Sequence, residues 1–525
     1  MKIHFILISL LSFLLICCAT VEMPSGGPID KTPPKLITVT PRDSSIHFSY
    51  DKIIFIFDEF IKPVTKNKVN INPYLSLDKY EIATQGKKVI ITFDDTLSSN
   101  TTYTITFNEA IIDITEGNIL KRLTYSFSTG DFIDTCTLSG KAILSESDLP
   151  MSKGVVILND RADFNWDSPP LYLDYCLDGI FLFTNLPTDS FYLYTLEDLN
   201  NNLMYEINKE HVGFYENIIN LSRDNNYSDI EVLNFIEFPK NKRIISNPRY
   251  NLNNTLIIFN QPLNSPLVAI IPDTLNILSY WNENKDTLSI FYPITSWDTT
   301  KITIKDFGLD TTINILTSLK GTQKTSKDTV LKLSLISYDS QLLPSDSCII
   351  KGSLPFKWIN TDSIILIKNE KDTMPLSLNE NYALYHTIID KLPNGEYELI
   401  IKNNAAYSIA GTTNKEEKIR FSKLSTREVS MLEIKFSNAL KWDGIIKLNG
   451  KYFKRSYLVP IGTSEFIINE LLPDNYELMI VKDDNNNGKY DTGNFEKRIL
   501  PERVYRFPKK VEIIKNWDQS IIWDL

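Results

Sequence analysis

The sequence predicts an all-β protein built from several small β-sandwiches in series. At 525 residues the chain is too long for one hydrophobic core. Short segments with alternating apolar and polar residues recur along it, separated by Asn, Asp, Pro and Ser clusters typical of turns. No amphipathic helix longer than about three turns is indicated after the N-terminal segment. Units of about 100 residues, as in small sandwiches, would place five domains in the chain.

The alternation is clearest at residues 102–107. There Tyr103, Ile105 and Phe107 fall on one face of a predicted strand, and three threonines fall on the other. Similar segments occur at 52–57, 88–93, 255–259, 363–367, 396–401, 477–481 and 511–514.

One internal repeat relates residues 54–61 to residues 256–263. Asn260 and Gln261 replace Asp58 and Glu59, so the repeat keeps side-chain shape and loses charge. This favours a shared fold over a shared charged site. A fainter similarity relates two further segments, one that begins at Tyr103 and one that begins at Tyr397. Together the two similarities suggest three related units, near 32–130, 240–320 and 328–425.

A second repeat matches residues 198–206 to residues 483–491, each after a Leu-Pro pair and a predicted strand. Both segments carry Asp, Asn, Asn and Tyr at the same spacing. The match predicts the same hairpin in two related sandwiches, at about 133–238 and 428–525.

The N-terminus predicts export and lipidation. A single Lys precedes an apolar run of 12 residues from Phe5 to Ile16, which is shorter than a membrane-spanning helix and typical of a secretory signal. The following Leu-Ile-Cys-Cys resembles a bacterial lipobox with Cys18 as the lipidated residue, although Cys17 occupies a position usually held by Gly, Ala or Ser. A Pro- and Gly-rich tether follows.

Composition argues against several classes of function. The net charge of −10 and a pI near 5.2 disfavour a nucleic-acid partner, because phosphate binding needs a basic surface. Only 4 His and 19 Gly leave little material for a histidine metal centre or a phosphate loop. No Gly-x-Ser-x-Gly or Cys-x-x-Cys motif is present. These observations predict a protein that is not an enzyme.

The motifs of the first unit resemble a known family. Thr32-Pro33-Pro34, Phe57-Asp58-Glu59 and Phe127-Ser128-Thr129-Gly130 are similar to the bacterial Ig-like domain of surface-layer proteins. The two units with Asp/Asn segments resemble transthyretin-like or carboxypeptidase-regulatory-like sandwiches. The whole arrangement is similar to Ig-like-domain lipoproteins of Gram-negative bacteria. The resemblance implies an envelope-anchored β protein and supplies no catalytic residues.

These observations predict an all-β chain of serial Ig-like and transthyretin-like β-sandwich domains. The predicted division is a lipoprotein signal peptide at 1–17, a tether at 18–31, an Ig-like domain at 32–130, a transthyretin-like sandwich at 131–238, degenerate Ig-like domains at 239–325 and 326–427, and a transthyretin-like sandwich at 428–525.

The segment 483–491 is the sharpest candidate for a ligand site. Asp483, Asn485, Asn487 and Asp491 supply oxygens at positions 1, 3, 5 and 9 of an EF-hand-like calcium loop, and Lys489 would contribute its backbone carbonyl. Gly488 suits the sharp turn, but position 12 is not a bidentate Glu. A weak Ca²⁺ site and an Asx-rich hairpin without metal both fit this pattern. In the copy at 198–206, Leu203 replaces the glycine, which favours the hairpin.

Other polar residues give weaker signals. Asp58 and Glu59 are adjacent in a strand, so they point to opposite faces and are expected to be solvated turn charges. His47, His211 and His386 fall in different units and predict no shared site. Cys136, Cys176 and Cys348 are odd in number; buried thiols or a Cys136–Cys176 pair both remain open.

The function predicted is that of a structural stalk or interaction scaffold held in the outer membrane through Cys18. Short linkers would limit bending and place the last units away from the membrane. Its partners would be the membrane, through the lipid, and an unidentified protein or glycan on the periplasmic or exposed side. A glycan- or peptide-binding surface module is the alternative, and a hydrolase with a site assembled across units is a third hypothesis.

Overall fold

The computed structural model describes residues 29–94, 97–223, 226–246, 249–251, 254–271, 277–292, 299–316, 330–382, 384–389 and 391–525. Within these ranges the regular structure consists of β-strands and three short 3-10 helices, at Lys66–Lys68, Leu77–Lys79 and Thr361–Ser363. None of the helices in the described ranges has the length and apolar character needed to span a membrane. The architecture is that of serial β-sandwiches, as predicted.

The first sandwich has two sheets. Its strands are β1 (Leu36–Thr40), β2 (Lys52–Phe57), β3 (Val69–Asn72), β4 (Tyr80–Gln85), β5 (Lys88–Phe93), β6 (Thr102–Ile112) and β7 (Ile119–Ser128). The sheet β1-β2-β5-β4 faces the sheet β3-β6-β7. Alternate residues of β2, such as Phe55 and Phe57, fill the core between the sheets with no exposed surface.

Both faces of β6 are buried. Tyr103, Ile105 and Phe107 point into the core, which confirms the predicted alternation. Thr104 and Thr106 on the opposite face are also buried, at 4% and 2% exposed. This face is polar and covered because it meets the second sandwich.

The contact between the first and second sandwiches is a buried polar network. The Nδ2 atoms of Asn70 and Asn72 each lie 2.8 Å from the carbonyl oxygen of Leu173. The Arg122 guanidinium lies 3.2 Å from the Asp174 carboxylate, which is 1% exposed. Burial raises the pKa of Asp174 and the charge of Arg122 opposes that rise. Buried polar groups that are all paired fix one relative orientation of the two sandwiches.

The second sandwich has its sheets joined at their edges. Its strands are β8 (Cys136–Leu144), β9 (Leu149–Pro150), β10 (Lys153–Asn159), β11 (Tyr172–Leu177), β12 (Ile180–Leu186), β13 (Ser190–Leu196), β14 (His211–Phe214), β15 (Ile219–Asn220) and β16 (Tyr227–Ile236). The order is β10-β11-β12-β8-β16-β14-β13-β15, and β10 also pairs with β13, which closes a ring. The pair β8–β16 is parallel.

The third sandwich repeats the pairing of the first. Its strands are β17 (Arg249–Asn251), β18 (Asn254–Ile258), β19 (Leu267–Ile271), β20 (Leu278–Trp281), β21 (Thr287–Phe291), β22 (Thr299–Asp306) and β23 (Leu309–Leu316). The sheets β17-β18-β21-β20 and β19-β22-β23 have the same order as those of the first sandwich. The sequence repeat at 54–61 and 256–263 thus overlaps equivalent strands, β2 and β18.

The fourth sandwich has three sheets. Its strands are β24 (Leu333–Leu335), β25 (Gln341–Leu342), β26 (Cys348–Gly352), β27 (Phe356–Ile359), β28 (Ile364–Lys368), β29 (Asp372–Met374), β30 (Asn379–Tyr382), β31 (Tyr385–Ile389), β32 (Gly395–Ile401), β33 (Ala406–Ser408) and β34 (Glu417–Lys423). They pair as β24-β26-β31-β30, β25-β34-β32-β28-β29 and β27-β33.

The fifth sandwich repeats most of the pairing of the second, but within the described range 391–525 its two sheets are not joined at their edges. Its strands are β35 (Ser430–Phe436), β36 (Gly444–Asn449), β37 (Lys454–Val459), β38 (Glu465–Leu471), β39 (Asp474–Lys482), β40 (Val504–Arg506), β41 (Val511–Ile513) and β42 (Gln519–Trp523). The sheets are β38-β35-β42 and β37-β36-β39-β40, with β41 on β39. The parallel pair β35–β42 corresponds to β8–β16.

The strand pairings of the fourth sandwich differ from the Ig-like expectation for residues 326–427. The chain of pairs β29-β28-β32-β34 matches β37-β36-β39-β40 of the fifth sandwich, and β26–β31 matches β35–β38. The Tyr397 hydroxyl donates to the carbonyl oxygen of Pro393, and Tyr476 makes the equivalent bond to Leu472 in the fifth sandwich. These features relate the fourth sandwich to the second and fifth. The predicted boundary at 325 lies outside the described residues.

The fourth and fifth sandwiches share part of a core. Leu343 and Leu424 of the fourth unit belong to the same buried cluster as the inner residues of the fifth. The Tyr338 hydroxyl accepts a hydrogen bond of 3.0 Å from the Arg455 guanidinium. Apolar packing and this polar contact hold the two sandwiches together.

Candidate functional site

The Asp483 loop, residues 483–491, connects β39 to the segment before β40 and is closed by its own hydrogen bonds. The Asp483 carboxylate, 5% exposed, accepts the backbone N–H groups of Asn487 (3.1 Å) and Gly488 (2.8 Å). The Asn487 side-chain oxygen accepts the N–H of Lys489 at 2.8 Å. The amides of Asn485 and Asn487 both donate to the same carboxylate oxygen of Asp491. The predicted side chains therefore do converge.

Glu502 completes this loop and was not identified from the sequence. Its two carboxylate oxygens accept the N–H groups of Asp484 and Asp491, each at 2.9 Å. Burial raises the pKa of Glu502, and the nearby Asp491 and Asp483 charges add to the rise. Asn494, at position 12 of the calcium pattern, instead accepts the N–H of Lys497 in a separate turn. Glu502 lies outside the loop, just before β40, so the spacing within the loop gives no signal for it.

The Asp198 loop, residues 198–206, has the same network in the second sandwich. Asp198 accepts the N–H groups of Asn202 and Leu203, each at 3.0 Å. Glu210 takes the place of Glu502 and accepts the N–H groups of Leu199 and Glu206. Leu203 has a φ of 59°, close to the 73° of Gly488. The left-handed turn therefore forms without glycine in this copy.

The carboxylate and amide side chains gathered in the Asp483 loop define what it can do chemically. Carboxylate and amide oxygens are the ligands that Ca²⁺ prefers. The carboxylates of Asp483 and Asp491 already accept backbone or amide N–H groups, so the hairpin is stable as an Asx network. A cation would have to displace the amide N–H donors of Asn485 and Asn487 from Asp491. Calcium binding by the loop stays a prediction.

A second acidic cluster lies at the first sandwich. One carboxylate oxygen from each of Glu59, Asp113 and Glu116 lies within 4.8 Å of the others. Burial tends to raise the pKa of Asp113, but N–H bonds from Gly117, Glu116 and Asn118 outweigh it and hold the pKa low. The pKa of Glu59 is raised, first by burial and then by the Asp113 charge. Asp113 thus serves to close the turn after β6.

The remaining sequence candidates do not assemble a site. Cys18 lies outside the described residues. Cys136, Cys176 and Cys348 are buried free thiols, and burial raises the pKa of Cys176 and Cys348 to about 12. Such thiols are poor nucleophiles and poor metal ligands.

His211 is held between two carboxylates of its own sandwich. Its Nε2 lies 2.6 Å from Glu146 and its Nδ1 lies 2.5 Å from Glu197. Burial lowers the pKa of His211, but the hydrogen bonds and charges of the two glutamates outweigh burial and raise it. The His211 ring therefore acts as a structural bridge between the two acids.

An aromatic contact joins the second and fifth sandwiches, and these residues were not identified from the sequence. The Phe495 ring of the fifth sandwich lies 5.8 Å from the Trp166 ring, 6.2 Å from Tyr205 and 6.1 Å from Phe214, measured between centroids. We call this contact the second–fifth interface. Gly493 fits against Phe235 so closely that a Cβ atom there would lie 2.7 Å from the ring.

Polar groups surround this aromatic centre. The Thr492 hydroxyl donates to the carbonyl oxygen of Ile236 at 2.6 Å. The Tyr490 and Ser145 hydroxyls are 2.6 Å apart. Arg503 pairs with both Asp148 and Glu231. The fifth sandwich therefore packs back on the second. The placement of the last units away from the membrane stays a prediction.

Comparison with known proteins finds a family match for the first sandwich. Residues 30–129 match a family described as "Bacterial Ig-like domain". This confirms the resemblance expected from the first unit's motifs. No curated protein matches the chain at a significant level.

The chain is similar to several solved structures. The surface layer protein SbsC, domains 1-6, is 12% identical, with 92% of this chain and 68% of that chain covered at a TM-score of 0.15. Domains A168-A170 of titin are 9% identical, with 47% and 93% covered at 0.14. SGBP-B of a Bacteroides ovatus mixed-linkage glucan utilization locus is 9% identical, with 73% and 96% covered at 0.19. At these TM-scores the similarities carry no argument about function.

Proposed function

We propose that this Ig-like-domain protein is a non-enzymatic scaffold of the cell envelope, anchored through lipidated Cys18. The second–fifth interface is the observation that carries the proposal. A chain of independent sandwiches would expose separate surfaces at variable angles. Packing the fifth sandwich on the second, with the first and fourth fixed to them by buried contacts, supports a rigid body that presents its outer surfaces in one arrangement.

Anchoring can be tested by changing Cys18 to alanine. We expect the wild-type chain to fractionate with membranes and Cys18→Ala to move to the soluble fraction, since loss of the lipid removes the proposed attachment. Cys17→Ala is the matched control, because it leaves Cys18 in place and restores a small residue before it. Membrane fractionation of Cys18→Ala equal to that of the wild type would contradict the proposal.

The scaffold role can be tested with an anchored chain whose second–fifth interface is opened. Chemical crosslinking in intact cells should give defined products with the wild-type chain and lose them with Phe495→Asp, because a scaffold depends on its fixed arrangement. Protease shaving of the same cells distinguishes the periplasmic from the exposed side. An unchanged set of crosslinked products in Phe495→Asp would contradict the scaffold proposal.

Calcium binding at the Asp483 loop is a separate proposal, supported by the carboxylate and amide side chains that the loop brings together. Calorimetric titration of the full chain with CaCl₂ should show one weak site, with Kd of about 10⁻⁴ to 10⁻³ M as in extracellular modules. Asp491→Asn should abolish the heat, and Asp362→Asn, an exposed acid in the fourth sandwich, should leave it unchanged. Absence of heat at millimolar calcium would remove the proposal.

A further inference from the structure

A cavity lies between the first and second sandwiches, beside the Asp198 loop. Its volume is about 490 Å³, within the range of about 300 to 1,000 Å³ common for small-molecule sites. Both sandwiches and the loop contribute its walls, so the cavity exists only when the two units are joined. The buried network of Arg122 and Asp174 fixes that junction.

The walls of this cavity are mainly apolar. Leu75 and Leu77 come from the first sandwich, Leu177 from the second, and Leu199 and Leu203 from the Asp198 loop. Leu77 is 46% exposed and Leu199 is 64% exposed. Leucines that line a cavity and remain open to solvent lose water contact when an apolar group enters, which favours binding.

Two phenols provide hydrogen-bonding groups in the same cavity. Tyr74 and Tyr175 both line it, and the pKa of each is raised, chiefly by burial, so both hydroxyls remain protonated at neutral pH. Within the described part of the chain neither hydroxyl makes a hydrogen bond. The Asn70 and Asn108 amides at the cavity wall are bonded to each other at 2.9 Å. Both phenols are therefore free to bond a ligand.

The charged residues of the cavity balance one another. Lys68 and Lys153 carry two positive charges, and Glu109 and Asp198 carry two negative ones. The Asp198 carboxylate is also held by N–H groups of its own loop. An ionic ligand would lose hydration without meeting an excess of opposite charge, which costs free energy. An uncharged ligand avoids that cost.

We propose that this cavity binds an uncharged amphiphile, with its apolar part against the leucines and a hydroxyl-bearing head group at Tyr74 and Tyr175. The site is distinct from the scaffold role and from the calcium proposal. It depends on apolar contact with Leu199 and on a hydrogen bond from Tyr175.

Calorimetric titration of the full chain with octyl glucoside, octyl sulfate and octyltrimethylammonium, each below its micelle-forming concentration, tests the head group. Octyl glucoside should bind at least about tenfold more tightly than either ionic probe. Glucose and cellohexaose test the apolar part and should not bind. Tighter binding of an ionic probe, binding of cellohexaose without an alkyl chain, or no binding of octyl glucoside would each overturn the proposal.

Variants place the binding in this cavity. Leu199→Ser should weaken octyl glucoside binding about tenfold, since one leucine contact is lost. Tyr175→Phe keeps the ring and should weaken binding about threefold to tenfold, since one hydrogen bond is lost. Leu458→Ser, which changes a leucine of the fifth sandwich that is 68% exposed, should have no effect. Wild-type affinity in both cavity variants would overturn the proposal.

Discussion

Replacing Phe495 by aspartate is expected to release the fifth sandwich from the second. The change removes the ring that contacts Trp166, Tyr205 and Phe214 and places a carboxylate among them, next to the buried Glu237. Loss of aromatic contact and burial of a charge should together cost the interface about 2 to 4 kcal/mol. Small-angle scattering should report a larger radius of gyration.

The matched control is Phe307→Asp, because Phe307 is an aromatic residue of the third sandwich that is 87% exposed. It should leave the scattering curve unchanged. Circular dichroism of both variants should match the wild type, since each sandwich keeps its own core. A wild-type radius of gyration for Phe495→Asp would show that the aromatic contact does not hold the two sandwiches together.

Replacing Arg122 by methionine is expected to loosen the first sandwich from the second. Asp174 is 1% exposed and would lose its positive partner while remaining buried. Removing one partner of a buried ion pair costs about 3 to 5 kcal/mol. Hydrogen exchange at the amide of Leu173, which donates to Asn72 across the contact, should accelerate accordingly.

The destabilisation caused by Arg122→Met should depend on pH. The pKa of Asp174 is raised in the folded chain, so the unfolded chain loses this proton first and stability falls as pH rises from about 4. Without Arg122 the pKa of Asp174 is raised further. The stability of Arg122→Met should therefore be closer to that of the wild type at pH 4 than at pH 7. Arg420→Met, at an exposed pair with Glu398, should change stability by less than about 1 kcal/mol. Equal destabilisation at both pH values would contradict the assigned role of Asp174.

Sequence periodicity predicted the fold class because strand alternation and turn residues are local properties. The inward side of β6 followed directly from the spacing of Tyr103, Ile105 and Phe107. The burial of Thr104 and Thr106 did not, because a polar face is equally compatible with water and with a polar neighbouring domain. The strand pairing of the fourth sandwich was not predicted either. The strand pattern that begins with a Tyr, at Tyr103 and at Tyr397, occurs in the Ig-like sandwich and in the transthyretin-like sandwich alike.

The candidate loop was predicted in part. Its repeated Asp and Asn spacing indicated a hairpin closed by Asx hydrogen bonds, and Asp483 and Asp491 both accept such bonds. Their role as calcium ligands stays a prediction. Glu502 lies outside the loop, just before β40, and Phe495 meets aromatic residues of the second sandwich. Contacts between residues so distant in the chain leave no periodic signal in a single sequence.

The return of the last sandwich to the second determines the order of assembly. The first two sandwiches leave the ribosome long before residues 483–506 are made, and domains of this size fold as units during synthesis. Until then, the second sandwich exposes the aromatic surface around Trp166 and Tyr205 to other chains. A nascent or truncated chain therefore carries an adhesive surface that only completion of the last hundred or so residues covers.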